Sequence, residues 1–400
     1  MVRLVSLPVI TEAPVNRAPD GLWTRRWGWA RLPGPTPALL GYVAVRAVCL
    51  LILWKFVDLH GGDYWHLLSS RFDAGWYEQI ADHGYNAVIP RLADGTPRPS
   101  NLAFFPFYPG LIWLVMAVTP FSSAAAGLIV AWLFALAGAW AMYEIGNHLH
   151  GRTTGVLLAM LYGVLPHAVV ENMAYSEPVY TALAAWTLYA LLRARWLEAG
   201  VLSILAGLCR PTASAVVATV GLCALVAIVR RRDGWRPWAA LVLAPLGYLG
   251  YLWWVGERLG RLDGYFYMMK TAWQVEFDGG AATWQTVRDV LTKPQSLNFY
   301  VITALLAVAV VLLVKLFLDR YPLAILAYTA FTVLLVIGAG GPAFYGKGRY
   351  LLPAFTLLLL PVAAALARAR LSTRILVLCL LAAISGWYGA YLLTVWLSSP

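Results

Sequence analysis

The chain has 400 residues, 61% of them hydrophobic and 12% charged, with a mean hydropathy of +0.69; a soluble core of this size leaves too few polar residues to cover its surface. Its 30 Lys and Arg against 19 Asp and Glu give a net charge of +11. In a chain this apolar, that excess reports membrane topology, and no nucleic-acid motif accompanies it. What remains is an all-α, polytopic membrane protein.

In chain order, residues 1–36 carry Arg17, Arg25, Arg26 and Arg31 among several prolines, without the apolar block and small-residue cleavage site of a signal peptide. A cytoplasmic tail is expected there, and residues 37–400 read as one transmembrane domain. The first span falls at 37–57, with Arg46 near enough to its cytoplasmic end to snorkel. A polar loop, 58–103, follows on the far side. Within it, RFDAGWYEQIADHGY predicts an amphipathic helix on which Asp73, Trp76, Tyr77, Ile80 and Gly84 share a face while Glu78 and Asp82 point elsewhere. Asp73 is thus the acid that can tuck against the membrane domain; the alternative is an interfacial helix with all its charges in water. His60, Asp63 and His66 are three-spaced as metal ligands can be, but so small a set arises readily by chance, and no metal is required.

AFFPFYP (103–109) opens an apolar stretch, 104–118, that is short and proline-studded and reads as interfacial or re-entrant; its rings Phe104, Phe105 and Tyr108 suit an aromatic belt or a substrate wall. Further spans are expected near 122–146, 154–171, 176–193, 198–209, 211–229, 238–255, 298–317, 322–339, 350–366 and 372–396, about eleven in all at roughly 20 residues per crossing. This layout puts HLHGR, RARW, RRRDGWR, the 315–320 connection and RARLSTR on the cytoplasmic side. The far side then holds 58–103, ENMAYSEPVY, a second large loop at 256–297, and GGPAFYGKGRY.

Three of these segments carry charges of interest. Glu171 and Glu177 sit six residues apart in ENMAYSEP, as helix caps or as ligands for sugar hydroxyls. Arg210 interrupts the apolar run 201–229 at GLCRPT, where an ionisable group is costly and marks either a function or a pairing with an acid such as Glu177. GKGRY puts Lys347 and Arg349 in a glycine-containing turn on the side where positive charge is disfavoured, which suits a phosphate or a lipid headgroup. The four cysteines lie in apolar runs with no CxxC, and GxSxG, Walker and HExxH patterns are absent. Nothing in the chain points to ATP chemistry or to serine hydrolysis. No internal repeat is evident, and the unequal loops argue against the matched halves of a secondary transporter.

Together, RFDAGWYEQIADHGYN, FFPFYP, YSEPVY, CRPTA and GKGRYLLP resemble the PIG-V-type mannosyltransferases, relatives of GPI mannosyltransferase 2 in the GT-C class. The match runs from about Arg71 to Thr212 and resumes near Gly346. Phe72 stands where family members commonly have Trp, and Pro211, Thr212 and Ala213 stand where they often have Ser-Asn-Gly. The resemblance implies a GT-C-type fold, a polyprenyl-phosphate sugar donor, usually of mannose, a lipid or glycan acceptor, and inversion at the sugar carbon on the extracytoplasmic face. By position in the motifs, Asp73 is the expected general base, Tyr175 and Glu177 belong to YSE, and Arg349 with Tyr350 form the external Arg-Tyr pair.

The implied chemistry is a single displacement in which Asp73 takes the acceptor proton while lipid phosphate leaves. Arg349, Lys347, Arg210 and Tyr350 are the candidates for meeting that phosphate, and Trp76, Tyr77, Phe105, Tyr108, Tyr175 and Glu177 for holding the substrates. A phosphate leaving group needs no protonation, so no second catalytic acid and no metal is demanded. Two other readings remain at this level: a polyprenyl-lipid or solute transporter lined by Arg210 and Glu177, and a noncatalytic subunit whose loops bind an enzyme.

Overall fold

A computed structural model describes residues 33–400 apart from 96, 342 and 397, so the expected tail lies almost wholly outside the described residues. The apolar runs form helices because hydrocarbon offers a backbone no other hydrogen-bond partner. α1 (Thr36–His60) leads into two short helices, α2 (Tyr64–Ser69) and α3 (Asp73–His83), and then α4 (Phe107–Val118). The centre of the chain supplies α5 (Ser123–His150), α6 (Arg152–Gly163), α7 (Glu177–Leu192), α8 (Trp196–Gly207), α9 (Ser214–Val229), α10 (Arg236–Leu243) and α11 (Leu246–Leu259). The remainder comprises α12 (Gly264–Ala272), α13 (Ala281–Thr292), α14 (Leu297–Leu318), α15 (Leu323–Gly338), α16 (Lys347–Leu358), α17 (Leu360–Leu366) and α18 (Leu371–Thr394).

Helices stand at every expected span, but their lengths correct the count. Among the described residues, six segments are long and apolar enough to cross a membrane: α1, α5, 211–229, α10 with α11, α14 and α18. A seventh counts if α16 and α17, bent by 49°, form one broken span. Pro361, lacking an N–H, stands at the start of α17 and accounts for the break. The segments α6, α7, α8 and α15 have only 12 to 16 residues, and at 1.5 Å per residue even the longest spans about 24 Å against ~30 Å of hydrocarbon. The 12-residue α4 is likewise short of a crossing, as its prolines suggested.

α7 is buried on nearly every side and forms the axis of the bundle, with α5, α8, α9, α15 and α16 packed around it. This matters for function because α7 begins at Glu177. The two ends of the bundle differ in chemistry. At one end the 58–103 and 256–297 segments lock together: Arg258 Nε donates to Asn86 O at 2.7 Å, and the Tyr265 hydroxyl donates to Ala103 O at 3.4 Å. The Arg-rich connections pair at the other end, where His150 Nε2 meets the Tyr321 hydroxyl at 2.8 Å and Trp196 Nε1 donates to Asp233 at 2.8 Å.

Candidate active site

Asp73 opens α3 directly after Phe72, whose φ of 57° and ψ of −124° are a backbone conformation that a bulky residue rarely adopts. This conformation immediately precedes Asp73, the first residue of α3. Ala74, Tyr77, Ile80 and Ala81 bury the inner face. Glu78 and Asp82 instead take hydrogen bonds from Ser123 Oγ, at 3.4 and 2.9 Å, in the first turn of α5, where a helix dipole favours negative charge. Glu78 and Asp82 thus stand off the face buried by Tyr77 and Ile80 but still meet the bundle, through α5.

Three other segments bring charge to Asp73. Arg349, in the first turn of α16, sets Nη1 2.6 Å from Asp73 Oδ2, with side chains 5% and 20% exposed. Its Nε lies 3.7 Å from Glu177 Oε1, and Glu177 Oε2 is in turn 2.5 Å from Arg210 Nη1. Asp73, Arg349, Glu177 and Arg210 therefore form one chain of alternating charge. It is neutral as a whole, which is what allows charges with such low exposure to persist, since an unpaired ion in this setting is prohibitive.

Neutral groups hold the chain from the sides. Arg210 Nη1 also donates to Ser176 Oγ at 3.0 Å, and that hydroxyl lies 2.5 Å from the Tyr77 hydroxyl. The N–H of Asp73 donates to the Tyr175 hydroxyl at 3.3 Å, which also touches Ser399 Oγ at 3.4 Å. Arg349 lies over the rings of Tyr175 and Tyr350, 5.4 and 5.0 Å from their centroids, and its Nη2 donates to the Tyr350 hydroxyl at 3.2 Å. Arg210 lies over Tyr350 at 5.6 Å. These contacts orient both guanidinium planes by cation–π attraction. YSE, CRPT and GKGRY thus meet at one point because each contributes the start of a helix, or the joint before one, around the same end of α7.

The remaining expected site residues lie elsewhere. Lys347 points away from Asp73 and donates to the Val336 and Ala339 carbonyls, at 2.6 and 2.5 Å, at the C-terminus of α15. Phe105 belongs to a separate core with Tyr251 and Tyr265. Tyr108 is buried, its hydroxyl donating to Gly127 O at 2.9 Å, and packs edge-on against Tyr77 at 4.8 Å. Trp76 stacks on Phe104 at 5.7 Å one helical turn beyond Asp73. His60, Asp63 and His66 border a cleft of about 250 Å³ between the ends of α1 and α18; Asp63 there caps α2 through the N–H groups of Trp65 and His66. Among the described residues, no three His, Cys, Asp or Glu side chains are grouped to hold a metal.

Two participants were not singled out from sequence. Ser399 lies 224 positions from Tyr175, with no local pattern to mark it. Trp273, in the second long loop, packs edge-on against Trp76 and Phe104 at 5.6 and 5.7 Å; its place amid other aromatics between α12 and α13 was the only available signal. Outside the helical bundle, Asp278 accepts from the backbone N–H of Gly280 and Ala282, both at 2.8 Å. Those bonds, Ala282 first, hold its carboxyl below the usual carboxylate range.

No protein-family model and no curated protein matches this sequence. Solved structures do. ArnT from Cupriavidus metallidurans, bound to undecaprenyl phosphate, aligns with a TM-score of 0.53 at 13% identity, and its apo state with 0.52 at 14%. Either alignment covers 85% of this chain but 63% of ArnT, so the chain spans less than two thirds of that protein's length. At such identity the likeness is one of fold: an all-α, multi-pass membrane protein with the GT-C-type architecture.

Proposed function

We propose that this protein is a membrane glycosyltransferase that moves a sugar from a polyprenyl-phosphate donor to a hydroxyl of a lipid or glycan, with inversion, on the extracytoplasmic face. Mannose is the sugar favoured by the resemblance to PIG-V-type enzymes. The observation that carries the reading is the Asp73–Arg349–Glu177–Arg210 chain, which sets a carboxylate and two guanidinium groups at the start of the central helix. Support comes from the shared fold with a protein solved bound to undecaprenyl phosphate.

In this mechanism the donor phosphate competes with Asp73 for Arg349. A bidentate guanidinium–phosphate pair forms, Arg210 and Tyr350 flank it, and Asp73 is released to face the acceptor hydroxyl. The acceptor oxygen attacks the anomeric carbon as Asp73 takes its proton, and lipid phosphate departs with the bonding electrons. Coupling base release to phosphate arrival keeps water from being activated before the donor is bound. Base catalysis of this kind is worth ~10²–10⁴-fold, and positioning and charge stabilisation supply the rest. Lys347, tied to backbone carbonyls, stabilises the turn that presents Arg349 and does not itself meet the phosphate.

The test is purified protein with labelled polyprenyl-phosphate mannose and a membrane-lipid extract, products being read by mass spectrometry. A mannosylated product that disappears in Asp73→Asn is expected. Movement of intact lipid across vesicles with no product formed would overturn the reading in favour of transport.

A further inference from the structure

The second long loop reaches the elements that carry the charge chain through a short strap, residues 273–280. Its backbone pairs antiparallel with the end of α15: Phe277 bridges Ala339, Asp278 N donates to Gly338 O at 3.0 Å, and Gly340 N donates to Glu276 O at 2.7 Å. Thr283, in the first turn of α13, adds a bond from its hydroxyl to Ile337 O at 2.6 Å. At the other end of the strap, Trp273 Nε1 donates to Ser100 O at 3.2 Å, and its ring packs edge-on against Trp76 of α3 and Phe104.

The segment receiving the strap is glycine-rich for a steric reason. A Cβ on Gly338 would enter the Phe277 ring, and one on Gly340 would enter the Asp278 side chain. The same 338–341 stretch runs into the turn that begins α16, where Lys347 holds the carbonyls of Val336 and Ala339. One end of the strap therefore grips the helix of Asp73, and the other grips the lead-in to the helix of Arg349.

We propose that the 273–280 strap holds these two helices in register, with Trp273 as its positioning residue for the Asp73–Arg349 pair. It touches neither charged group. Its effect is geometric: the two partners of a 2.6 Å contact stand on helices far apart in sequence, and a displacement near 1 Å can cost about 10²-fold in rate.

The test uses the full chain in lipid nanodiscs and two readouts. Hydrogen–deuterium exchange in 73–83 and 343–350 is expected to quicken in both segments in Trp273→Ala, and to stay near wild type in Trp273→Phe, which keeps the edge-on packing. Gly340→Ala, which alters no aromatic ring, is expected to quicken the same two segments. With labelled polyprenyl-phosphate mannose as probe, Trp273→Ala and Gly340→Ala are expected to lower kcat about 10²-fold with donor KM within about twofold. Unchanged exchange in either segment overturns the proposal, as does a rise in KM at constant kcat, which would make Trp273 a substrate contact. The exchange readout does not depend on glycosyl transfer, so a wild-type protein without transfer activity would sink the proposed function and leave this inference standing.

Discussion

Glu171 and Glu177 come from one eight-residue motif and lie in contrasting surroundings. Glu177 stands between two guanidinium groups at the start of α7, in a chain of charge that ends at the partly exposed Asp73. Glu171 is fully buried and takes a hydrogen bond from the Tyr162 hydroxyl, while the neighbouring Arg46 donates to neutral acceptors, Asn172 Oδ1 at 3.2 Å and Gly163 O at 2.9 Å. Arg46 does not snorkel: it is 4% exposed and pins both ends of the 163–172 connection to α1. The contrast separates two uses of a buried arginine. Where the partners are carbonyls and amides the group is a clamp; where they are carboxylates that another anion can displace, it is equipped to bind one.

The comparison is broken most directly at Asp73. Asp73→Asn keeps the size of the side chain and removes its charge, and should lower transfer by ~10²–10⁴-fold, with a smaller fall in the unfolding midpoint than for Glu177→Gln because Asp73 is the more exposed carboxylate of the chain; retained activity would remove the base from its role. Glu177→Gln comes next. It leaves two guanidinium groups sharing one carboxylate, an uncompensated buried charge worth about 3–5 kcal/mol, and should lower the unfolding midpoint well beyond any shift seen for the exposed pair Arg195–Glu198 when Glu198→Gln is measured alongside.

Arg46→Met sharpens the other side of the contrast. It removes the donors to Asn172 and Gly163, at about 1–3 kcal/mol for buried acceptors left without a partner, yet the protein that remains folded should turn over at the wild-type rate. A large kcat loss there would mean that the clamp reaches the site. Lys347→Met should cost about as much stability for the same reason, and donor KM should stay within about twofold; a large rise in KM would return Lys347 to the phosphate.

The smallest expected effect is in pH. Asp278 has its carboxyl lowered in the folded protein, so its contribution is present above the ordinary carboxylate range and is lost as pH falls through the depressed folded value. Exchange protection of 273–283 should therefore decline only at strongly acid pH in wild type, and Asp278→Asn should abolish that dependence.

Much of this site was legible in the residues. The face of α3 was recoverable from local spacing and the pairing of Arg210 with Glu177 from the cost of a charge in an apolar run, whereas YSE and GKGRY were joined only by the family resemblance. The direction of Lys347 was not recoverable. A lysine in a turn before a helix serves an incoming anion or the carbonyls of the preceding helix equally well, and only the position of α15 settles which. The span count differs for another reason: hydropathy marks where helix is required but not how far it runs, and α6, α7, α8 and α15 stop at 12 to 16 residues.

By itself, then, the order of residues determined that the chain must be helical and must lie in a membrane, since these are consequences of backbone satisfaction and apolar surface, which act locally. Tertiary structure alone decided that Asp73 would meet Arg349, that Glu177 would stand between two arginines while Glu171 met a tyrosine, and that Trp273 would close over the first helix of the site. Those pairings depend on how helices pack around α7, and packing is a property of surfaces assembled from distant parts of the chain.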